Sequence, residues 1–322
     1  MNFNKIFDAF PPPKFLDIPF AGLSISDNSI HCIQFENKWG RLHIKKYGEK
    51  VVPKGVITSG EVNDKEVLTT ILQELKKDLD LTYVKVSLPE EKAYLFTTKI
   101  PLVKPSEIKE AIESKIEENV PVSPSELIFD YKLIEHDEAG HIDVAVSTLP
   151  ITVVESYVGI TNSAGLYPLS MEVESQAIAR CLLPPDSDDT VLIVHFGPEK
   201  VGLYVASDRV VRFTSTVNIK GDVSNNPDFL SQEIKRLFAY WHLLKDNADK
   251  EERKISQIII SGENFSESII PYLASNHQTK VILGNVWTNA FDIKTDIPAI
   301  SHTDSLKYSA AIGLALPVNI LI

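Results

Sequence analysis

The chain has 322 residues, 43% of them hydrophobic and 24% charged, which suits two domains or one large two-lobed fold rather than a single small core. Its formal net charge of −12 repels phosphate backbones and argues against nucleic acid as a general partner. Cys32 and Cys181 stand in apolar runs with no CxxC or Cys/His spacing, so structural zinc is excluded and buried free thiols in a reducing compartment are expected.

No stretch reaches the roughly 20 apolar residues that cross a bilayer, and the opening MNFNKIFDAFPPPKF lacks the apolar centre of a signal peptide. The expectation is a cytoplasmic protein that meets a membrane only through partners or a weak surface contact. Residues 1–20 read as a tail. Phe3, Ile6, Phe7 and Phe10 fall on one face of a short helix before Pro11, a segment that either packs on its own domain or docks elsewhere.

Gly22–Ser26, Ser29–Glu36 and Arg41–Tyr47 alternate apolar and polar residues, with turns at Asp27-Asn28 and Asn37–Gly40, which predicts a meander. Asp64–Leu79 carries Val67, Ile71, Leu72, Leu75 and Leu79 at helical spacing, and Leu81–Pro89 follows as a β-branched strand. Glu91 to Ala164 reads as strand (Ala93–Ile100), helix (Pro105–Asn119), strands (Leu127–Glu135 and His141–Ser147) and helix (Thr152–Ser163). This βαββα unit is taken as an insertion. Pro105 suits a first helical turn and Val120-Pro121 stops the helix. Tyr167–Glu172 and Val173–Leu183 return a strand and a helix to the first lobe. A second meander follows in Thr190–Phe196, Val201–Ser207 and Val210–Val217. Then come a helix over Asp228–Leu244, a buried strand at Lys254–Ser261, a helix at Ser266–Ser275, a short strand at Val281–Gly284 and a small-residue helix at Ser305–Leu316.

The two meanders align without gaps. Leu23-Ser24-Ile25-Ser26 falls on Val194-His195-Phe196-Gly197, and Ile30, Cys32 and Gln34 fall on Val201, Leu203 and Val205. Such internal similarity indicates a duplicated unit. Two lobes of this kind face each other across a cleft, with the tight turn after each first strand pointing into it, where backbone N–H groups can grip phosphates. The expected class is α/β, an actin-like (ribonuclease H-like) duplicated two-lobe fold.

Several segments resemble, in order, the PilM and FtsA-like family. Gly22–His31 resembles its first phosphate loop; Ser87-Leu88-Pro89 with Lys99-Ile100-Pro101 resembles the approach to its subdomain 1C. Ile116–Pro121 followed by Phe129-Asp130-Tyr131, Val153–Val158 with Ala164–Pro168, and Glu174, Ala177, Ala179 and Arg180 resemble successive pieces of the same family. Ser261-Gly262 resembles its adenosine-side turn and Ala311–Leu316 its closing helix. The resemblance runs from about Ala21 to Leu316 and implies subdomain 1A at 21–90 and 165–187, subdomain 1C at 91–164, a second lobe (2A/2B) at 188–316 and a tail at 317–322. It also implies a cytoplasmic scaffold of type IV pilus assembly, peripheral to the inner membrane, that binds the N-terminal peptide of a PilN-type protein beside 1A and 1C. Candidate groove residues at that junction are Leu95, Phe96, Pro101, Phe129 and Tyr131.

The resemblance further implies ATP between the lobes, at Ser24, Ser26, Asp27, Asn28, Ser29, His31, His195, Gly197, Gly221, Gly262 and Gly313. The sequence departs from the family there. Ser24 and His195 replace acids that would organise Mg²⁺, Ser26 replaces a glycine, His31 a lysine, and Asp222 one member of a Gly-Gly pair. These changes remove charge on which phosphoryl transfer depends, so ATP binding is expected to be weak or absent and hydrolysis unsupported. His195 itself reads as a hydrogen-bonded structural histidine. The alternatives left open are an ATP-hydrolysing relative, whose loop acid would be Asp27 or Asp222, and an FtsA-like cell-division adaptor. Finally, Pro317-Val318-Asn319-Ile320-Leu321-Ile322 resembles the Asn-Leu-Leu type core of the PilN peptide. It is expected either to pack on its parent domain or to dock in the groove of its own chain or, through self-association, a neighbour's.

Overall fold

The computed structural model describes residues 18–38, 40–136, 140–218, 227–244, 253–292 and 297–317. Strands β1 (Phe20–Ile25), β2 (Ser29–Lys38) and β3 (Arg41–Val51) form the first meander. A small hairpin, β4 (Ile57–Thr58) and β5 (Glu61–Val62), turns through Ser59 and Gly60, both at positive φ. Its strands are too short to show a period in sequence, which is why alternation did not reveal them. Helix α1 (Lys65–Leu79) starts where the Asp64 carboxylate accepts the Val67 N–H, and buries Leu68, Leu72 and Leu75. Strands β6 (Tyr83–Leu88) and, after the insertion, β10 (Tyr167–Val173) add in parallel to give the order β3-β2-β1-β6-β10.

The insertion folds on its own sheet. Strands β7 (Tyr94–Pro101), β8 (Leu127–His136) and β9 (His141–Pro150) lie in the order β7-β9-β8. Helix α2 (Ile108–Asn119) packs Ile108, Ile112 and Ile116 on this sheet, at the spacing that puts one residue per turn on the same face. Helix α3 (Ile151–Ser163) returns the chain, and its Tyr157 and Ile160 join the first-lobe core.

The second lobe repeats the first. Strands β11 (Val191–Phe196), β12 (Lys200–Ser207), β13 (Val210–Asn218), β14 (Gln257–Gly262) and β15 (Lys280–Leu283) lie in the order β13-β12-β11-β14-β15. Registers match at the offset read from sequence. Leu23 faces Cys32 and Ser24 faces His31 in one lobe; Val194 faces Leu203 and His195 faces Gly202 in the other. The tight turns match too: the Ser26 N–H donates to Ser29 O at 2.9 Å and the Gly197 N–H to Lys200 O at 2.8 Å. The fold is an actin-like two-lobed α/β structure, as the repeat implied.

Helix α4 (Glu174–Leu182) opens a central layer, α5 (Pro227–Leu243) and α6 (Ile269–His277) cover the second sheet, and α7 (His302–Ser305) leads through a 3₁₀ turn into α8 (Ser309–Ala315). Helix α8 fits only because its neighbours are small. A Cβ on Gly22 would stand 1.9 Å from Ala311 O, and one on Gly313 would stand 1.9 Å from Ala177 O. Ile33, Ile193, Ala179 and Ala311 therefore share one core between the sheets. Cys32 and Cys181 are buried free thiols. Among the described residues no helix is long and apolar enough to cross a membrane.

Candidate functional sites: an interlobe cleft and a surface groove

Parallel pairing brings the carboxyl ends of β1, β6 and β10 to one edge of the first sheet, and those of β11 and β14 to the facing edge of the second. Ligand crevices in α/β folds form at such edges. Here Ser24, Ser26, Asp27, Asn28, Ser29, His31, His195, Gly197 and Gly262 line one cleft. Gly221 and Asp222 lie outside the described residues. Gly313 does not join the cleft. It is buried in the α4–α8 contact, where its carbonyl accepts the Arg180 Nε–H at 2.8 Å.

Five charged residues absent from the site candidates suggested by the sequence also line the cleft: Glu91, Glu174, Lys200, Glu263 and Lys307. Lys200 follows the second turn and reaches across to the first lobe. Its ammonium donates to Asp27 Oδ2 at 3.1 Å and to the Glu91 carboxylate. Burial opposes that charge, but Glu91 and Asp27 outweigh it and hold the lysine pKa above its ordinary value. Asp27 is further fixed by the Ser59 and Gly60 N–H groups at 2.9 and 3.0 Å. Lys54 and Glu199 make a second, exposed bridge between the turns at 3.3 Å.

Behind this bridge burial dominates. Glu174 is pushed up to about 8 by desolvation, with Glu91 adding and Lys200 opposing, and the Ser24 hydroxyl donates to it at 3.4 Å. Glu90, whose carboxylate accepts the Ser175 N–H at 3.1 Å, is raised to about 7, again mainly by burial. His31 is lowered to about 4 by burial, with Glu49 3.5 Å away opposing the shift. His195 is lowered to about 4 by burial and then by His31. Its Nδ1 has no hydrogen-bond partner among the described residues. The free space left among these groups is about 50 Å³, against roughly 300–1,000 Å³ for ordinary small-molecule pockets.

A second concavity is far larger, about 930 Å³. Its walls come from β8 and β9 of the insertion, β10 and α4 of the first lobe, the Arg209–Val210 turn and residues 288–292 of the second lobe, and Leu316-Pro317. Strand β9 contributes Ala145, Ser147 and Leu149, which alternate and so present one face. Strand β8 contributes Ile128, Phe129, Asp130, Tyr131 and Lys132, a consecutive run that presents its edge. Arg180 crosses the floor, its Nη1 donating to Glu172 at 2.8 Å. Of the residues suggested from sequence, Phe129 and Tyr131 border this groove along the edge of β8, while their side chains pack on the insertion core. Leu95, Phe96 and Pro101 do not border it: Leu95 packs between the lobe cores, Phe96 packs on the insertion core, and Pro101 is exposed at the end of β7.

Residues 22–250 match the sequence profile of the family described as Type IV pilus assembly protein PilM. The chain belongs to this family. Among solved structures it is similar to the "PilM-PilN type IV pilus biogenesis complex", with a TM-score of 0.77 at 17% identity, covering 92% of this chain and 98% of that one. It is also similar to the ethanolamine utilization protein EutJ from Carboxydothermus hydrogenoformans, with a TM-score of 0.50 at 12% identity over 95% of this chain and 90% of that one. No curated protein sequence matches. At these identities the structural likeness fixes the fold, and the family assignment rests on the profile.

Proposed function

We propose that this PilM-family chain is a cytoplasmic scaffold of type IV pilus assembly that captures the extended N-terminal segment of a PilN-type inner-membrane protein in the 930 Å³ groove. The observation that carries the reading is the contrast between the two concavities. The groove is large, mixed apolar and polar, and offers a strand edge to an extended chain, which suits peptide capture by side-chain pockets and backbone hydrogen bonds. Membrane association would then come through the partner.

In this reading the cleft is a degenerate nucleotide site. The residues present do not fit Mg-ATP: the Asp27 and Glu91 carboxylates are engaged by Lys200, Glu174 carries its proton at pH 7, and about 50 Å³ is free. One observation favours an ATPase instead, the convergence of Asp27, Glu91 and Glu174, which brings carboxylates to a cleft whose Ser24 and His195 stand where acids are expected. Calorimetric titration separates the readings. A synthetic N-terminal peptide of PilN from the same organism should bind with micromolar affinity, and Ile128→Glu, on the groove face of β8, should weaken it at least tenfold. Mg-ATP should give no saturable heat below millimolar concentration. Tight, magnesium-dependent ATP binding would select the ATPase, and absence of peptide binding would remove the scaffold reading.

A further inference from the structure

We propose that Val318–Ile322, the segment following Pro317, occupies the groove of its own chain and competes with the peptide partner. The inference rests on reading the groove as a peptide site. Helix α8 ends at Ala315, and Leu316 leaves it in extended backbone, with φ −62° and ψ 141°. Leu316 and Pro317 already line the groove, so the described chain stops at its wall. Val318, Ile320, Leu321 and Ile322 are apolar and mostly β-branched, and Asn319 is the one polar member. They meet a groove whose apolar walls include Ile128, Met171 and Phe291.

Strand β8 supplies the length match. It is the outer strand of the order β7-β9-β8, and five consecutive residues, Ile128–Lys132, face the groove. An extended segment rises about 3.3 Å per residue. Val318–Ile322 therefore covers the same run of strand, one residue against one. Tethering raises its local concentration to about the millimolar range. A segment whose Kd as a free peptide is about 0.1 mM would then weaken a competitor about tenfold.

The test uses the full chain, a chain ending at Pro317, and a full-length Ile320→Asp/Leu321→Asp variant that keeps the backbone intact should the shorter chain misfold. Two synthetic peptides are titrated separately, Val318–Ile322 and the PilN N-terminal peptide. The expected result is that the Val318–Ile322 peptide binds the shorter chain and the aspartate variant at least tenfold more tightly than the full chain. Ile128→Glu at the groove rim should abolish that binding. The PilN peptide should follow the same order. Equal affinity of the PilN peptide for all three chains, with no binding of the Val318–Ile322 peptide, overturns the proposal and leaves the partner reading standing. Binding of the Val318–Ile322 peptide without any PilN binding does the reverse. If neither binds, both fall. A doubled solution mass that truncation restores to one chain would place the segment in a second copy and overturn the same-chain form.

Discussion

Glu174→Gln is expected to stabilise the protein in a strongly pH-dependent way. Glu174 lies at the head of α4, half-buried at the wall of the cleft, facing Glu91, Glu90 and Lys200 and accepting the Ser24 hydroxyl. Its folded pKa of about 8 lies above an unfolded value near 4.5. The folded state thus binds the proton more tightly, and stability is lost as pH rises through the interval between the two values. Each pKa unit corresponds to about 1.4 kcal/mol. At pH 7 the wild-type carboxyl costs about 3 kcal/mol relative to a permanently neutral group, approaching 5 kcal/mol by pH 9. Glutamine preserves the shape and accepts the same serine hydroxyl, so the variant escapes that cost. Urea unfolding of both proteins at pH 5, 6, 7 and 8 measures it, because the other titrating groups cancel in the difference. The gain should be under 1 kcal/mol at pH 5 and rise by about 1 kcal/mol or more per pH unit above it. A difference that stays constant across the series would show that Glu174 is ionised in the fold and would undo its reading as a protonated carboxyl behind the Lys200 bridge.

Lys200→Met keeps the aliphatic stem and removes the charge that joins the lobes. The lysine, Asp27 and Glu91 side chains are 23%, 19% and 18% exposed, short of full burial. The loss should therefore fall near 2–3 kcal/mol, below the full cost of orphaning a buried partner, and a thermal or urea measurement finding less than about 0.5 kcal/mol would place the pair among inconsequential surface bridges. Gly313→Ala forces its methyl against Ala177 O and should cost at least about 2 kcal/mol. Gly159→Ala, on an open face of α3 with nothing within 4 Å, should instead stabilise by about 0.5–1 kcal/mol. Equal effects of the two substitutions in chemical denaturation would contradict the packing described for α8.

The meanders were legible because strand alternation is local and the duplication preserves it residue for residue, down to Ser24 facing His31 and His195 facing Gly202. The cleft acids were not. Glu91 and Glu174 each sit just past an apolar strand, where nothing local distinguishes them from solvated charges. Only the parallel order β1-β6-β10, a long-range pairing, brings those strand ends together. Lys200 had a signal, since it falls on Ser29 under the repeat, but its direction across the cleft did not. Gly313 is a ligand position only by resemblance to the family's closing helix, and its small-residue surroundings suit close backbone packing equally well. Phe129 and Ile128 illustrate the same limit for the groove: Phe129 packs on the insertion core beside Phe96, and its neighbour Ile128 takes the groove face. Alternation shows that a strand has two faces; which face meets α2 and which meets the groove depends on how the insertion sits on its lobes.

The two concavities are mechanically related. The groove is walled by the insertion and first lobe on one side, and by Arg209, Val210 and residues 288–292 of the second lobe on the other, so its width depends on the angle between the lobes. Lys200, Asp27 and Glu91 bridge the same two lobes at the cleft. A lysine on one lobe clasping carboxylates on the other restrains that angle. Under the proposed function, this internal ion pair would do continuously what a bound and hydrolysed ligand does intermittently. It follows that Lys200→Met should weaken the PilN peptide several-fold although the lysine does not line the groove, and that Glu174→Gln, which leaves the bridge intact, should not. Calorimetry on both variants decides the matter. Unchanged peptide affinity in Lys200→Met, alongside the expected stability loss, would mean that the lobes hold their angle through the α4–α8 core alone.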